Sequence, residues 1–321
     1  AEAFLQYEPR IAAITNIEAD HLDYFGSLEE IQDAFGEFAR RLPNDGLLVW
    51  NKEDPNSAFL PLSTVAETQS FSLVPGTADW TAEDIRFHDS GSTFRLRGPD
   101  GKSTVIRLQV PGYHNIRNAL ASTALASWAG VPLEVIACAL GRFRPVRRRF
   151  DVLATSPCTV VDDYAHHPTE VRAVIDSARR VYPGRRLVCV FQPHQHSRLR
   201  VMLEDFADAL SEADEVIVCE VYRARDSEED VRAIRSTLLA EAVRRRGRHT
   251  LYADTFCRVI GQLEGSVEAG AVVLFLGAGD ITHLAHEFAR AVASRDVVLR
   301  EPPRRDVTAG AAALVCGASP N

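Results

Sequence analysis

Hydrophobic and polar positions divide the chain into two regimes that meet near residue 150. In the first, IAAITNI (11–17) is a short, mostly apolar run that predicts a buried strand. Ser27 then opens SLEEIQDAFGEFARRL, with Glu30 three residues on as a capping-box partner and apolar residues at helical spacing. GLLVWN (46–51) predicts the next strand. Between 83 and 110 the segments EDIRFHD, STFRLRG and KSTVIRLQV alternate at period two, the mark of antiparallel strands. An Ala-rich helix is expected from Asn115 to Gly130, followed by a short one over 132–142.

The second regime alternates regularly. Apolar strands are expected at 158–162, 186–191, 215–219, 250–252 and 271–276, with helices over 168–181, 197–212, 228–246, 254–264 and 280–294. Consecutive βα units of this kind predict a doubly wound, mostly parallel sheet with helices on both faces. Ligands of such sheets bind beyond the carboxyl ends of the strands, which directs attention to the strand-end sequences. The last stretch, 299–321, has no periodicity and reads as a loose tail.

At 321 residues the chain has room for two domains of roughly 100–200 residues each. Its apolar fraction of 46% and charged fraction of 25% are those of an ordinary globular protein. The sequence holds no apolar run long enough to span a membrane, and residues 1–10 do not read as a signal peptide, so membrane insertion is not expected and a cytoplasmic location is. The net charge of −8 and the shortness of the arginine clusters argue against a nucleic-acid partner. Six cysteines without a CxxC pair, mostly inside apolar runs, predict reduced, buried thiols.

Gly101-Lys102-Ser103-Thr104 imitates the end of a phosphate loop, but Leu96 occupies the position of the first glycine. The surrounding alternation makes it a hairpin turn instead. Glu18, Asp20 and His21 follow the first strand and suit either a divalent cation or a capped, solvated turn. Asn115 and Asn118 share one helical face and could read the edge of a planar base; N-capping by Asn115 is the plainer alternative. Arg147, Arg148 and Arg149 stand at the junction of the two regimes, where they could reach a polyphosphate or form a solvated charge run.

The densest string, Asp162-Asp163-Tyr164-Ala165-His166-His167-Pro168-Thr169-Glu170, directly follows a strand. The next strand ends in FQPHQHSR (191–198) and the last in LGAGD (276–280), a turn open enough for backbone amides to meet an anion. Three polar strings at one sheet edge define a candidate site. A metal hydrolase built on Asp162, Asp163, His166 and His167 would leave the asparagine pair and the arginines without a role. His283 and His286 read as surface or packing residues.

In order and spacing, TNIEADHLD (15–23), VPGYHNIRNALA (110–121), RRFD (148–151), DDYAHHPTE (162–170), FQPHQHSR (191–198) and GAGDI (277–281) resemble the motifs of the Mur ligases. The DDYAHHPTE and FQPH strings resemble the branch that joins alanine to muramate. The resemblance implies an incomplete central ATPase domain over 1–149, a mixed sheet with helices, and a Rossmann-like doubly wound domain over 150–298. It implies ATP and Mg²⁺ as cofactors, UDP-N-acetylmuramate and L-alanine as substrates, and an acyl phosphate on the way to a new amide in peptidoglycan precursor synthesis.

Carried over by motif, His21 resembles a ligand of a substrate-side Mg²⁺ and Asn115 with Asn118 the pair that holds adenine. Arg149 resembles the hinge arginine on the ATP phosphates, and Asp163 an acid that binds ATP. His167 and Arg198 are expected near the substrate carboxylates. Gln195 stands where many members carry a second arginine, and Glu2 does not match the spacing of the Mg²⁺-binding glutamate. The family's phosphate loop and UDP-binding domain are expected upstream, from the same gene, so residues 1–321 are not expected to ligate alone. The competing reading is a non-catalytic nucleotide- or substrate-binding remnant of the same fold.

Overall fold

A computed structural model of the chain describes residues 2–89, 91–294 and 299. Six strands form the first sheet in chain order: β1 (Ile11–Ile14), β2 (Leu47–Asn51), β3 (Glu67–Ser72), β4 (Trp80–His88), β5 (Gly91–Arg97) and β6 (Ser103–Leu108). The pairs from β1 to β4 are parallel, and β4–β5 and β5–β6 are antiparallel. Helices α1 (Leu22–Phe25) and α2 (Leu28–Arg40) follow β1. After the sheet come α3 (Tyr113–Trp128) and α4 (Leu133–Arg142). One core packs around α3 and includes Phe71, Trp80, Phe94 and Leu120; the other packs around α2 and includes Ile14, Ile31 and Leu48.

The second sheet has six strands, β7 (Asp151–Ala154), β8 (Thr159–Asp163), β9 (Leu187–Phe191), β10 (Glu215–Cys219), β11 (His249–Ala253) and β12 (Val272–Leu276). Their spatial order is β11-β10-β9-β12-β8-β7, parallel except for the antiparallel edge strand β7. The helices between them are α5 (Pro168–Val181), α6 (His196–Val201), α7 (Leu203–Leu210), α8 (Glu228–Ala233), α9 (Ser236–Arg245), α10 (Phe256–Ser266) and α11 (Ile281–Ser294). One core holds residues of α5, α7 and α9, and the other those of α10 and α11, so both faces of the sheet are covered. Strands buried on both faces need continuous apolar runs, such as LVCVF at Leu187–Phe191.

Several sequence expectations need correction. The polar segment ETQSFS, for which the sequence predicts no element, forms β3 by pairing with β2, and Asp79 accepts from the Ser70 backbone N–H at 2.7 Å and from its hydroxyl at 2.6 Å. The helix expected over 228–246 breaks at Ile234, which turns extended (φ −143°, ψ 148°) and drops its side chain into the core. The helix expected over 197–212 breaks at Met202. Cys158, Cys189 and Cys219 are buried as expected, but Cys138 and Cys257 are exposed; Cys316 and residues 300–321 lie outside the described residues. Gly98–Lys102 is the hairpin turn between β5 and β6, not a phosphate loop.

Candidate functional site

The order β9-β12-β8 puts the three polar strings side by side at the carboxyl edge of the second sheet. The arginine hinge fastens them. Arg148 Nη2 donates to the carbonyl of Gly277 at 2.5 Å and lies 3.3 Å from that of Gly279. Its Nε lies 3.7 Å from the fully buried Asp162 Oδ2, which also accepts from the Thr282 hydroxyl at 2.6 Å. Gly277 has φ +152°, and a Cβ there would stand 2.8 Å from the Gln192 carbonyl, so this crossing of β9 and β12 strand ends needs glycine.

Asp163 is 4% exposed and faces inward. Its carboxylate accepts the backbone N–H of Phe150 at 2.7 Å and of Ala165 at 2.8 Å. Burial pushes its pKa up to about 6 against the pull of those bonds. In this arrangement the side chain ties the hinge to the sheet, and its oxygens are occupied by protein. Asp162 and Asp163 therefore point to separate partners, and among the described residues no group of three or more His, Cys, Asp or Glu side chains converges as a metal site. The metal-hydrolase reading loses its constellation.

The turn after β8 enters α5 through a capping box. His167 Nδ1 accepts from the Thr169 N–H at 3.4 Å, and Glu170 Oε2 accepts from the N–H groups of His166 (3.0 Å) and His167 (3.2 Å). Pro168 takes the first helical position, where no N–H is needed. Glu170 also lies 3.6 Å from Arg149, whose side chain is half exposed. The His166 and His194 rings sit 5.7 Å apart. Burial lowers both pKa values, that of His194 to about 4, with neighbouring positive charge assisting, so both imidazoles are neutral at neutral pH.

Two contacts carry this edge across to the first domain. Arg198 Nη2 donates to Asp20 Oδ1 at 2.9 Å, and His167 Nδ1 lies 3.2 Å from Glu18 Oε2. Arg198 is 9% exposed, yet its Nη1 is buried without a partner, as is His167 Nε2. A guanidinium nitrogen in that position is suited to a carboxylate that the protein itself does not supply. Burial alone would raise the Asp20 pKa, but the charge and hydrogen bond of Arg198 hold it below the usual range. His21 stands beside it, 67% exposed and left-handed at φ 55°. Its Nε2 lies 3.9 Å from Asp20 Oδ2, so imidazole and carboxylate stand together at the end of β1.

On the opposite wall, α3 begins two residues earlier than the sequence suggests. Gly112 is its N-cap, at φ +99°, and no side chain caps it. A Cβ on Gly112 would stand 2.5 Å from Ser177 Oγ of α5, so glycine lets the two domains meet here. Asn115 is consequently not the N-cap; its amide nitrogen donates back to the Pro111 carbonyl at 2.6 Å. Asn118 is exposed, and its side chain has no hydrogen-bond partner among the described residues. Burial and the charges of Arg149 and Arg117 hold neighbouring His114 to a pKa of about 4, which places the start of α3 beside the hinge arginine.

Contacts thus link His21 through Asp20 to Arg198, Arg149 through Glu170 to the His166–His167 turn, and Asp163 to the hinge at Phe150, while among the described residues no contact joins Asn118 to them. Sequence reasoning assigned no role to Glu170 or to Asp226, which holds the α6 turn. The spacing of Pro168 and Glu170 signals a cap, whereas nothing local links Asp226 to a turn 30 residues away.

Comparisons with known proteins cover both domains. The Mur ligase middle domain matches residues 2–126, and the family described as Mur ligase, glutamate ligase domain, matches residues 148–279. A UDP-N-acetylmuramate–L-alanine ligase of Acetivibrio thermocellus is 38% identical over 290 residues, 89% of this chain and 61% of the relative. One from Chlorobaculum tepidum is 37% identical, with the same shares. The crystal structure of a UDP-N-acetylmuramate–alanine ligase from Thermotoga maritima superposes with a TM-score of 0.73 at 29% identity, over 92% of this chain and 62% of that one. The chain spans about six-tenths of the length of these relatives.

Proposed function

Since the chain belongs to the Mur ligase family through its middle and C-terminal domains, we propose that it serves the ATP-dependent joining of L-alanine to the carboxylate of UDP-N-acetylmuramate, a step of peptidoglycan precursor synthesis. The observation that carries this reading is Arg198: a nearly buried guanidinium, anchored across the domains on Asp20, with Nη1 buried and without a partner. The names of the relatives supply the substrates.

ATP and Mg²⁺, when bound, supply the phosphoryl group that activates the carboxylate and the charge that shields the phosphates. This chain's residues bind and orient. Asn118, with Asn115 behind it, offers a free amide for the base, and the half-exposed Arg149 can leave Glu170 for a phosphate. Arg198 holds a substrate carboxylate, with His167 beside it. Neutral His166 and His194 line the approach without repelling an incoming amine. Asp163 contributes by fixing the hinge that carries Arg149. His21 offers one ligand to Mg²⁺.

Lys52 follows β2 and Lys102 sits in a hairpin, so neither belongs to a phosphate loop, and residues 1–321 by themselves are expected to show no turnover. The test is phosphate release by the full-length gene product. Release that requires UDP-N-acetylmuramate and L-alanine together is expected. ATP and substrate binding without any turnover would instead favour a non-catalytic role.

A further inference from the structure

Beside the cleft, one carboxylate that the mechanism does not use makes more directed contacts than any residue assigned to it. Asp226 lies in the loop between β10 and α8, and its side chain is fully buried. It accepts the backbone N–H of His196 at 2.9 Å and of Ser197 at 3.1 Å. The Ser197 hydroxyl donates to it at 3.1 Å, and His196 Nδ1 lies 3.0 Å away. Burial alone would raise its pKa, but these bonds hold the carboxyl below its ordinary range, so it is ionised at neutral pH.

What Asp226 holds is the first turn of α6, the helix that carries Arg198. That helix spans His196–Val201 only, and so short a helix cannot fix its own start. It is entered through Gln195 at φ 69°, a backbone conformation that a non-glycine residue adopts when its surroundings impose it. Those surroundings are the same loop. Gln195 N donates to the Tyr222 carbonyl at 3.1 Å and Tyr222 N to the Pro193 carbonyl at 2.8 Å, while the His194 ring stacks on Tyr222. The loop after β10 therefore runs alongside the loop after β9, and Asp226 fastens its far end.

We propose that Asp226 is a positioning residue for the ligation: it locks the first turn of α6 so that Arg198 presents its free Nη1 to a substrate carboxylate. The inference rests on the role given to Arg198 above. Arg198 follows the two clamped residues directly, so releasing the clamp acts on the segment that carries the guanidinium, leaving Asp20 as its other anchor.

A double-mutant cycle in the full-length gene product decides it. KM for ATP, UDP-N-acetylmuramate and L-alanine is measured for wild type, Asp226→Ala, Asp226→Asn, Arg198→Ala and the two double variants. Asp226→Ala and Arg198→Ala are expected to raise KM for the same carboxylate substrate, by about tenfold or more, with KM for ATP within about twofold of wild type. In the Arg198→Ala background, substitution of Asp226 is expected to change nothing further, since its effect passes through the missing side chain. An unchanged KM in the Asp226 variants, effects that multiply in the double variants, or an equal rise in KM for ATP would overturn the inference. If Asp226→Ala lacks a cooperative unfolding transition, the Asp226→Asn cycle decides by the same criteria. Should wild type not turn over, the functional reading fails first. The cycle is then read on calorimetric dissociation constants for the two carboxylate substrates, and binding of neither overturns both.

Discussion

Asp163 and Asn118 show what a motif can and cannot reveal about a single residue. Both are legible as members of nucleotide-site strings, but their surroundings are tertiary. Asn118 is exposed with its amide free, so Asn118→Ala removes a ligand contact and no core volume. ATP affinity in the full-length protein is expected to fall by roughly 1–3 kcal/mol with the unfolding midpoint unchanged, as calorimetry and denaturation would show. Asp163 is occupied by two backbone donors, so Asp163→Asn sets an amide N–H₂ against one of them and is expected to destabilise the fold by roughly 1–3 kcal/mol. Its pKa gives that loss a pH dependence. A carboxyl raised from 3.8 to about 6 by burial binds more protons in the folded state, so stability falls as pH rises through that window. The margin of wild type over Asp163→Asn should therefore be larger at the acid end of the window than above pH 6. Paired urea titrations giving a margin that grows with pH would show that the two backbone bonds, and not burial, dominate this carboxyl.

At the scale of elements, the regular βα repeats were legible because strands covered on both faces must be continuously apolar, and their helices amphipathic. What escaped was whatever depends on partners distant in sequence. β3 is polar and exists because β2 pairs with it and Asp79 ties Ser70. β7 is a four-residue edge strand with no pattern of its own. The break at Ile234 brings that side chain into a core whose other members are distant in sequence. The entry to α5 is the opposite case, since Pro168 and Glu170 announce it locally. Glu170 satisfies two backbone donors there, and Glu170→Ala is expected to cost about 1–2 kcal/mol of stability. Glu170→Gln, which keeps one acceptor oxygen, should lose less. Equal losses in guanidinium titrations would mean that the ion pair with Arg149, and not the cap, is what Glu170 contributes.

For the whole molecule the question is what holds the cleft between the domains in this arrangement. Glycine at 112 permits α3 to meet α5, and Arg180 lies over Tyr113 at 4.5 Å, but these contacts are small. A directed contact between the domains is Asp20–Arg198, whereas His167 Nδ1, which accepts the Thr169 N–H, lies 3.2 Å from Glu18 without donating to it. A partly exposed pair such as Asp20–Arg198 contributes about 1 kcal/mol, which corresponds to roughly a fivefold change in the balance between this closed arrangement and any open one in which the domains part. Asp20→Asn is expected to shift the balance toward the open form by that factor. The chain carries its own reporter positions: Cys138 on α4 and Cys257 on α10 are exposed, one in each domain, whereas burial pushes the thiols of Cys158 and Cys219 up to about 11 and 12 and raises that of Cys189 as well. With Cys316 replaced by Ser, dyes on Cys138 and Cys257 read the interdomain distance by energy transfer in single molecules. The pH profile adds a sign. Asp20 has a depressed pKa, so its contribution to closure is fully present above 3.8 and is lost as pH falls through the lowered folded value. Wild type should keep its high-transfer population through neutral and mildly acid pH and lose it only in strong acid, while Asp20→Asn should begin more open and show no such acid step. Identical profiles for the two proteins would assign closure to the α3–α5 packing, and Arg198 would then owe its position to α6 alone.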